Sequence, residues 1–326
     1  MAKNPDYKKL SANECAERLV KIENPLILIH VRPDGDAVGS AAALCEIFNQ
    51  LGRECFFLSA DNVPSRLSFI AEHVGAKTAT FTEGLTAIAI DVASTSQLGA
   101  LYEAFPKPAL MIDHHAVGEQ FADGYIVSEA SSAAEALLDV AHALIERGFI
   151  NMTEKLAYAL YAAISSDTGC FAYSNTSPKT LRYAAELIES GIDSADINHR
   201  LFYSKSVSQI KAEGLVAAKL KTDVSKTVSY AIITLNEIIE NNLSYDDFET
   251  AIDVARSVIG AEIAFVAKEI EAGKYKISLR STGKNVAQIA KEFGGGGHIR
   301  AAGCSVNAKT ADDVQNLILQ KLKDIL

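Results

Sequence analysis

The sequence predicts an α/β protein: an N-terminal, mostly parallel sheet with helices on both faces, followed by a smaller C-terminal α+β domain. Three observations carry this. Short, continuously apolar runs alternate with helix-length segments through the first half, the pattern of a parallel sheet buried on both sides. A largely polar helical stretch then interrupts the alternation. Beyond it come longer strand-like segments, two of them joined by the turn Glu271-Ala272-Gly273, which reads as a hairpin.

In chain order, residues 25–30 (PLILIH) form the first predicted strand. Residues 37–51 form a helix, with Gly52 suited to its C-terminal cap. Residues 54–58, 86–90 and 109–112 are further strands, and 131–147 and 153–166 are helices. Ser177-Pro178 is a helix start, with the serine as N-cap and the proline in the first turn. The spacing divides the chain into a first domain at 1–192, a helical connector at 193–221 and a second domain at 222–326. In the second domain 227–234, 262–270 and 274–280 read as strands, and 285–293 and 310–326 as helices.

Composition narrows the class. Hydrophobic content is 48%, typical of a globular protein, and no apolar run approaches the roughly 20 residues of a bilayer span. The first six residues carry no apolar signal region, so a cytoplasmic location and no membrane association are expected. The five cysteines form no CxxC pair, which points to reduced, mostly buried thiols. A formal charge of −10 argues against broad binding of long duplex nucleic acid. It leaves room for a short nucleic acid held in a local basic pocket beside metal ions.

Six candidate metal ligands stand along the first half: His30, Asp34, Asp36, Asp91, His114 and Asp167. His30 ends a predicted strand, and Asp34 and Asp36 flank Gly35, which is expected to let a loop bend tightly. Asp91 and Asp113 follow apolar strands, where an unpaired carboxylate is costly. Several of these groups fall just beyond strand C-termini, where open α/β sheets place their ligands. Pro-Asp-Gly-Asp is also a common turn composition, Asp91 could cap a helix, and Asp167 could cap a turn; the six in company favour a site. Four carboxylates and two imidazoles without a thiolate suit two divalent ions, Mn²⁺ foremost, with Mg²⁺, Co²⁺ or Fe²⁺ as alternatives. Asp91, central in the ligand order, is the candidate bridge. Such a pair of ions activates water for attack on a phosphate ester. Cys170 is expected to be buried, and His73, His142 and His199 are assigned to structure or solvent.

A second cluster lies far along the chain. Gly294 to Gly297 expose backbone N–H groups that can approach an anion. His298, Arg300 and, on a strand, Arg280 could add positive charge; Arg256 and Lys284 are weaker candidates.

Taken together these motifs resemble the DHH phosphoesterase superfamily, in its DHH–DHHA1 branch of nanoRNase/pAp phosphatase (NrnA-like) type. HVRPDGDAVGS, AIDVAS, DHH and SSDTGCF resemble its four metal-site motifs in order, and GGGGHIRAAG its DHHA1 signature. The resemblance covers roughly residues 15–310. It implies one ion held by His30, Asp34 and Asp91, and another by Asp36, Asp91, His114 and Asp167. His115 would face the scissile phosphate with Asp113 orienting it. Arg280, Gly295, Gly296, Gly297 and His298 would hold the far end of the substrate. Arg256 lacks the proline that often precedes it in such proteins. The implied activity is hydrolysis of short RNA oligonucleotides and of 3′-phosphoadenosine 5′-phosphate (pAp), in a cleft open only to short substrates. A stand-alone pApA/c-di-AMP phosphodiesterase is the alternative within the class, and a non-catalytic nucleotide-binding regulator the alternative outside it. A homodimer is compatible with this build.

Overall fold

The structure is a computed structural model that describes residues 7–79 and 83–325. The six N-terminal residues read above for a signal region lie outside it, as do Leu326 and the side chain of His298. The chain divides into two units, Met1–Ser204 and Lys205–Leu326. The stretch expected as a connector is thus shared between them rather than standing apart.

In the first unit the elements run α1 (Ala12–Leu19), β1 (Pro25–Leu28), α2 (Gly35–Gln50), β2 (Phe56–Leu58), α3 (Ser68–Val74), β3 (Lys77–Thr78), β4 (Thr86–Ile90), α4 (Leu101–Ala104), β5 (Leu110–Asp113), β6 (Gly124–Ile126), α5 (Ala133–Glu146), α6 (Glu154–Asp167), α7 (Pro178–Glu189) and α8 (Ser194–Asn198). The sheet order is β3-β2-β1-β4-β5-β6, and every pairing is parallel. The winding reverses between β1 and β4, which opens a crevice at their C-terminal ends.

The strands are apolar on both sides because both sides are covered. Ile27, Ile29, Ile88, Ile90, Leu110 and Ile112 join a core with α1, α2, α3, α5 and α6. Leu26, Leu28, Ala87, Ala89 and Met111 face a thinner layer with Leu98, Phe121 and Ala122. Capping side chains fix where the helices begin. Ser132 and Thr153 accept N–H groups at the starts of α5 and α6, and Ser177 does so in a capping box ahead of Pro178.

Helix α2 begins two residues earlier than the sequence suggests. Asp34 is its N-cap and Asp36 lies in its first turn, so the two aspartates are set by a helix start rather than by a bent loop. Gly35 is needed for a close approach instead: a Cβ there would lie 2.2 Å from Ser166 Oγ. One turn on, a Cβ on Gly39 would lie 2.7 Å from Ala163 Cβ and 2.8 Å from the Ala159 carbonyl oxygen. The bare face of α2 therefore lets α6 close in, which brings Asp36 toward Asp167.

The second unit comprises α9 (Val207–Ala218), β7 (Lys221–Thr222), β8 (Val228–Ile233), α10 (Leu235–Glu240), α11 (Ile252–Arg256), β9 (Ile263–Glu271), β10 (Lys274–Ser281), α12 (Val286–Glu292), β11 (Gly296–His298), β12 (Ala301–Asn307) and α13 (Ala311–Leu322). Its sheet order is β11-β12-β10-β9-β8-β7. Only β8 and β9 run parallel; the other pairs are antiparallel. Side chains alternate between two layers. Tyr230, Phe265, Ile277, Leu279, Cys304 and Val306 pack beneath α12 and α13. Ala231, Ile233, Ala264 and Val266 pack against α9, α10 and α11. Among the described residues no helix is long and apolar enough to cross a membrane.

The α2–α6 contact yields a stability test. Gly39→Ala should gain about 1 kcal/mol in helix propensity but overpack α6, for a net loss of roughly 1–2 kcal/mol. Urea denaturation reads this out. An unchanged or higher midpoint would show that the two helices are not in forced contact.

Candidate metal centre

Five of the six candidate ligands come from the C-terminal edge of the sheet or the helix start that follows it, and α6 delivers the sixth. His30 lies two residues beyond β1, Asp91 directly after β4, and His114 directly after β5. Asp167 is the last residue of α6. Asp91 has a left-handed backbone, φ 56°, while its own N–H still donates to Ile112 O at 3.0 Å. That conformation is uncommon outside glycine and marks a position held by its surroundings.

The Asp91 carboxylate sits between two imidazoles. One oxygen lies 3.4 Å from His30 Nε2, the other 3.5 Å from His114 Nε2. His30 Nε2 is also 3.7 Å from Asp34. His114 Nε2 is 3.9 Å from Asp36 and 3.9 Å from Asp167. Potential donor atoms therefore gather in groups within 4.8 Å of one another: His30, Asp34 and Asp91; Asp36, His114 and Asp167; and Asp91, His114 and His115.

The surroundings aim the donors. His30 Nδ1 lies 2.8 Å from Val31 O and His114 Nδ1 3.4 Å from Ala130 O. An Nδ1–H donated to a carbonyl leaves Nε2 as the lone-pair nitrogen facing the carboxylates, the usual way a ligating imidazole is oriented. Asp34 Oδ1 accepts from the N–H groups of Asp36 and Ala37. Asp36 is buried and accepts from Ala133 N–H at 2.7 Å and Ala134 N–H at 3.1 Å, at the start of α5, and from Ser40 Oγ. A helix N-terminus stabilises an anion. No local signal points to this anchor, because the run that starts α5 does not reveal what its first amides face.

Electrostatics favour a cation here. Burial pushes the Asp36 carboxyl well above the usual carboxylate range, and the charges of Asp91 and Asp167 add to this. Burial lifts Asp167 to about 7 against the pull of His114. Asp91 moves the other way: burial is outweighed by His114 and His30, and its carboxyl stays well below the ordinary value. Burial would depress both histidines, but hydrogen bonding to Asp34 and Asp91 lifts His30 to about 11, and Asp91 with Asp36 lifts His114 to about 10. Oxygen and imidazole donors, oriented and without thiolate, fit hard to borderline divalent ions.

The remaining candidates are placed as follows. Asp113, buried at the end of β5, lies 2.7 Å from His115 Nδ1, and this carboxylate raises His115 against the effect of burial. Arg280 is in β10 and donates to Leu279 O at 3.0 Å. Gly296, Gly297 and His298 form β11, paired with Gly303, Ala302 and Ala301, so the glycine run is a hairpin arm and not a loose linker. A Cβ on Gly295 would lie 2.2 Å from Gly303 O, and one on Gly297 2.4 Å from Ala301 O, whereas Gly296 faces open space. Arg256 ends α11, its Nε 3.5 Å from Asp253. Cys170 departs from expectation: it is half-buried, in a left-handed turn, while the other four thiols are buried, and all five are free. His73 pairs with Glu154 and His142 with Glu186.

Residues 24–164 match the N-terminal domain of the DHH family, and residues 224–326 match the DHHA1 domain. The chain belongs to the DHH family in its two-domain, DHH–DHHA1 form. Within that class it is similar to the bifunctional oligoribonuclease and PAP phosphatase NrnA of Thermus thermophilus, with 29% identity over 95% of this chain and 93% of the relative. The protein of the same name from Bacillus subtilis is 27% identical over 89% of this chain and 91% of its own. Among solved structures, an exopolyphosphatase-related protein from Bacteroides fragilis shares the fold with a TM-score of 0.85, 22% identity and 96% coverage of both chains. RecJ of Thermus thermophilus, solved with Mn²⁺, has a TM-score of 0.54 and 15% identity over 98% of this chain and 56% of its own.

To ligate an ion, His30 and His114 would have to give up protons, so ion uptake should tighten as pH rises toward about 10 and should release protons. Calorimetric titration of Mn²⁺ in two buffers of different ionisation heat measures both. An affinity that is flat with pH, with no proton release, would contradict this electrostatic picture.

Proposed function

We propose that this DHH–DHHA1 protein is a divalent-metal phosphoesterase that hydrolyses short oligoribonucleotides and pAp. The observation that carries the reading is Asp91: its two carboxylate oxygens face two different imidazoles, the arrangement a bridging ligand needs. His30, Asp34 and Asp91 would hold one ion, and Asp36, Asp91, His114 and Asp167 the other. When bound, two such ions, Mn²⁺ foremost, would supply Lewis acidity to activate water and offset phosphoryl charge. The relatives' names support the substrate class, and the Mn²⁺ of the RecJ structure supports the metal.

The chain's own groups do the rest. Asp113 accepts the Nδ1–H of His115 and so turns Nε2 outward, and its charge favours the protonated ring. His115 is then set to donate a proton or a hydrogen bond to the phosphoryl group or the leaving oxygen. Arg280 and the hairpin at Gly296 would bind the distal phosphate. An arginine can make two charge-assisted bonds to it, and such remote binding energy also positions the scissile bond.

A hydrolysis panel with Mn²⁺ tests the reading: a 5-mer RNA, pAp, pApA, c-di-AMP and pyrophosphate. Turnover of the 5-mer and pAp is expected; turnover of c-di-AMP alone, or of none, would refute it. Asp91→Asn should lose both ions by elemental analysis and abolish turnover, and two retained ions with normal activity would break the site assignment. His115→Ala should cut kcat by roughly 10²–10⁴-fold with ion content kept; loss of an ion instead would make His115 a ligand. Arg280→Ala should weaken pApA and 5-mer hydrolysis while sparing bis-p-nitrophenyl phosphate. Equal loss on both kinds of substrate would remove the second domain from substrate binding.

A further inference from the structure

The second unit's sheet is covered unevenly on one face. Helices α9, α10 and α11 pack over Ala231, Ile233, Ala264 and Val266, on β8 and β9. Beyond them, on β10 and β12, the same face carries Arg280, Ser278 and Lys276 opposite Ala301, Gly303 and Ser305. Directly paired residues share a face, and so do residues two apart on a strand. Lys276 and Ser305 are exposed; Arg280, Ser278, Ala301 and Gly303 are half-buried. The result is a lane with a floor of small residues, continued by Gly296 opposite Gly303, and lined along β10 by two cations. Arg280 and Lys276 stand four residues apart, roughly 13 Å along the strand.

The far end of this lane is unusual. Lys276 pairs directly with Lys268 of β9, so two ammonium-bearing side chains face each other across the ladder, an arrangement that is destabilising by itself. Lys268 is only 3% exposed. Both Nζ atoms lie over the ring of Tyr245, at 4.3 Å and 4.9 Å from its centroid. Among the described residues neither ammonium has a carboxylate within ion-pair distance. Asp246 and Glu249, on the turn that carries Tyr245, favour the Lys268 charge only from farther away, while burial and then Lys276 depress it to about 8. A cation–π contact compensates part of a desolvated charge; an anion between the two lysines would compensate it more fully.

We propose that Lys268 and Lys276, steadied by Tyr245, form a phosphate-binding position at the opposite end of the lane from Arg280, taken by a backbone phosphate of an oligoribonucleotide longer than a dinucleotide. The identity of the ligand rests on the function proposed above; the site itself does not. Tyr245 is engaged by the ammonium groups, so recognition is of phosphate charge and not of base identity. The short ligands pAp and pApA, held at Arg280, do not extend to Lys276.

The test is equilibrium binding to the full chain in EDTA, where no hydrolysis occurs, using a fluorescein-labelled 5-mer RNA with pApA as competitor. Lys276→Ala and the volume-conserving Lys268→Met should each weaken the 5-mer about tenfold, the effect of losing one charge-assisted contact, and leave pApA unchanged. Lys276→Arg should restore binding. Circular dichroism checks the fold, and the exposed position of Lys276 makes its variant safe to interpret. Unchanged 5-mer affinity in both variants, or equal loss for pApA and the 5-mer, overturns the proposal. A third arm adds inorganic phosphate and follows the melting temperature. Phosphate that stabilises the parent but not the variants, with 5-mer affinity unaltered, would assign the site to free phosphate and overturn the oligonucleotide reading. Because binding is read without metal, failure of the hydrolysis panel and failure of this site are separate results.

Discussion

Everything in the first unit is arranged around one electrostatic problem: several carboxylates must stay together at the C-terminal edge of a sheet. Left alone they would repel and draw water. Three devices hold them. Asp91 lies between the imidazoles of His30 and His114. Asp34 caps α2, and Asp36 is bound by the first N–H groups of α5. The parallel strands β1, β4 and β5 end side by side, so groups distant in sequence converge without long loops. The crevice where the winding reverses supplies the room.

That arrangement depends on packing far less conspicuous than the ligands. Without side chains on Gly35 and Gly39, α2 and α6 approach until Asp36 and Asp167 both come within 3.9 Å of His114. The chemistry of the edge is thus set by the absence of atoms one turn away. The second unit uses the same device in a sheet: Gly295 and Gly297 let β11 press against β12, and Gly296 keeps the outer surface of the hairpin low.

Strands and the candidate ligands at their ends were legible because each carries a local signal. An apolar run such as Thr86–Ile90 followed by an aspartate reads as a buried strand with a charged end whatever surrounds it, and the structure has β4 over those residues. The helix start at Ser177 was legible from capping chemistry; the caps at Ser132 and Thr153 emerge from the structure. What was hidden depended on contacts distant in sequence. Gly35 read as a turn residue because nothing in its neighbours reveals Ser166 across the helix pair. The short strands β3, β6 and β7 exist because a longer strand lies beside them, and their own two or three residues carry no periodicity. Cys170 was expected in the interior from its flanks, yet a left-handed turn at Cys170 and Phe171 leaves it half-buried. The Lys268–Lys276 juxtaposition is a matter of strand register, which no single segment encodes.

Asp36 serves two ends at once. Its carboxylate faces His114 and also closes the start of α5, leaving the first amides of that helix paired in a buried setting. Such amides lose more when a partner is removed than they gained when it was present. Loss of function at Asp36 therefore cannot by itself distinguish a lost ligand from a loosened helix, and genetic screens will score this position as intolerant for both reasons together. Asp167, the last residue of α6, faces His114 without closing a helix start. On the proposed site it is the position at which coordination chemistry can be varied while the scaffold is left standing.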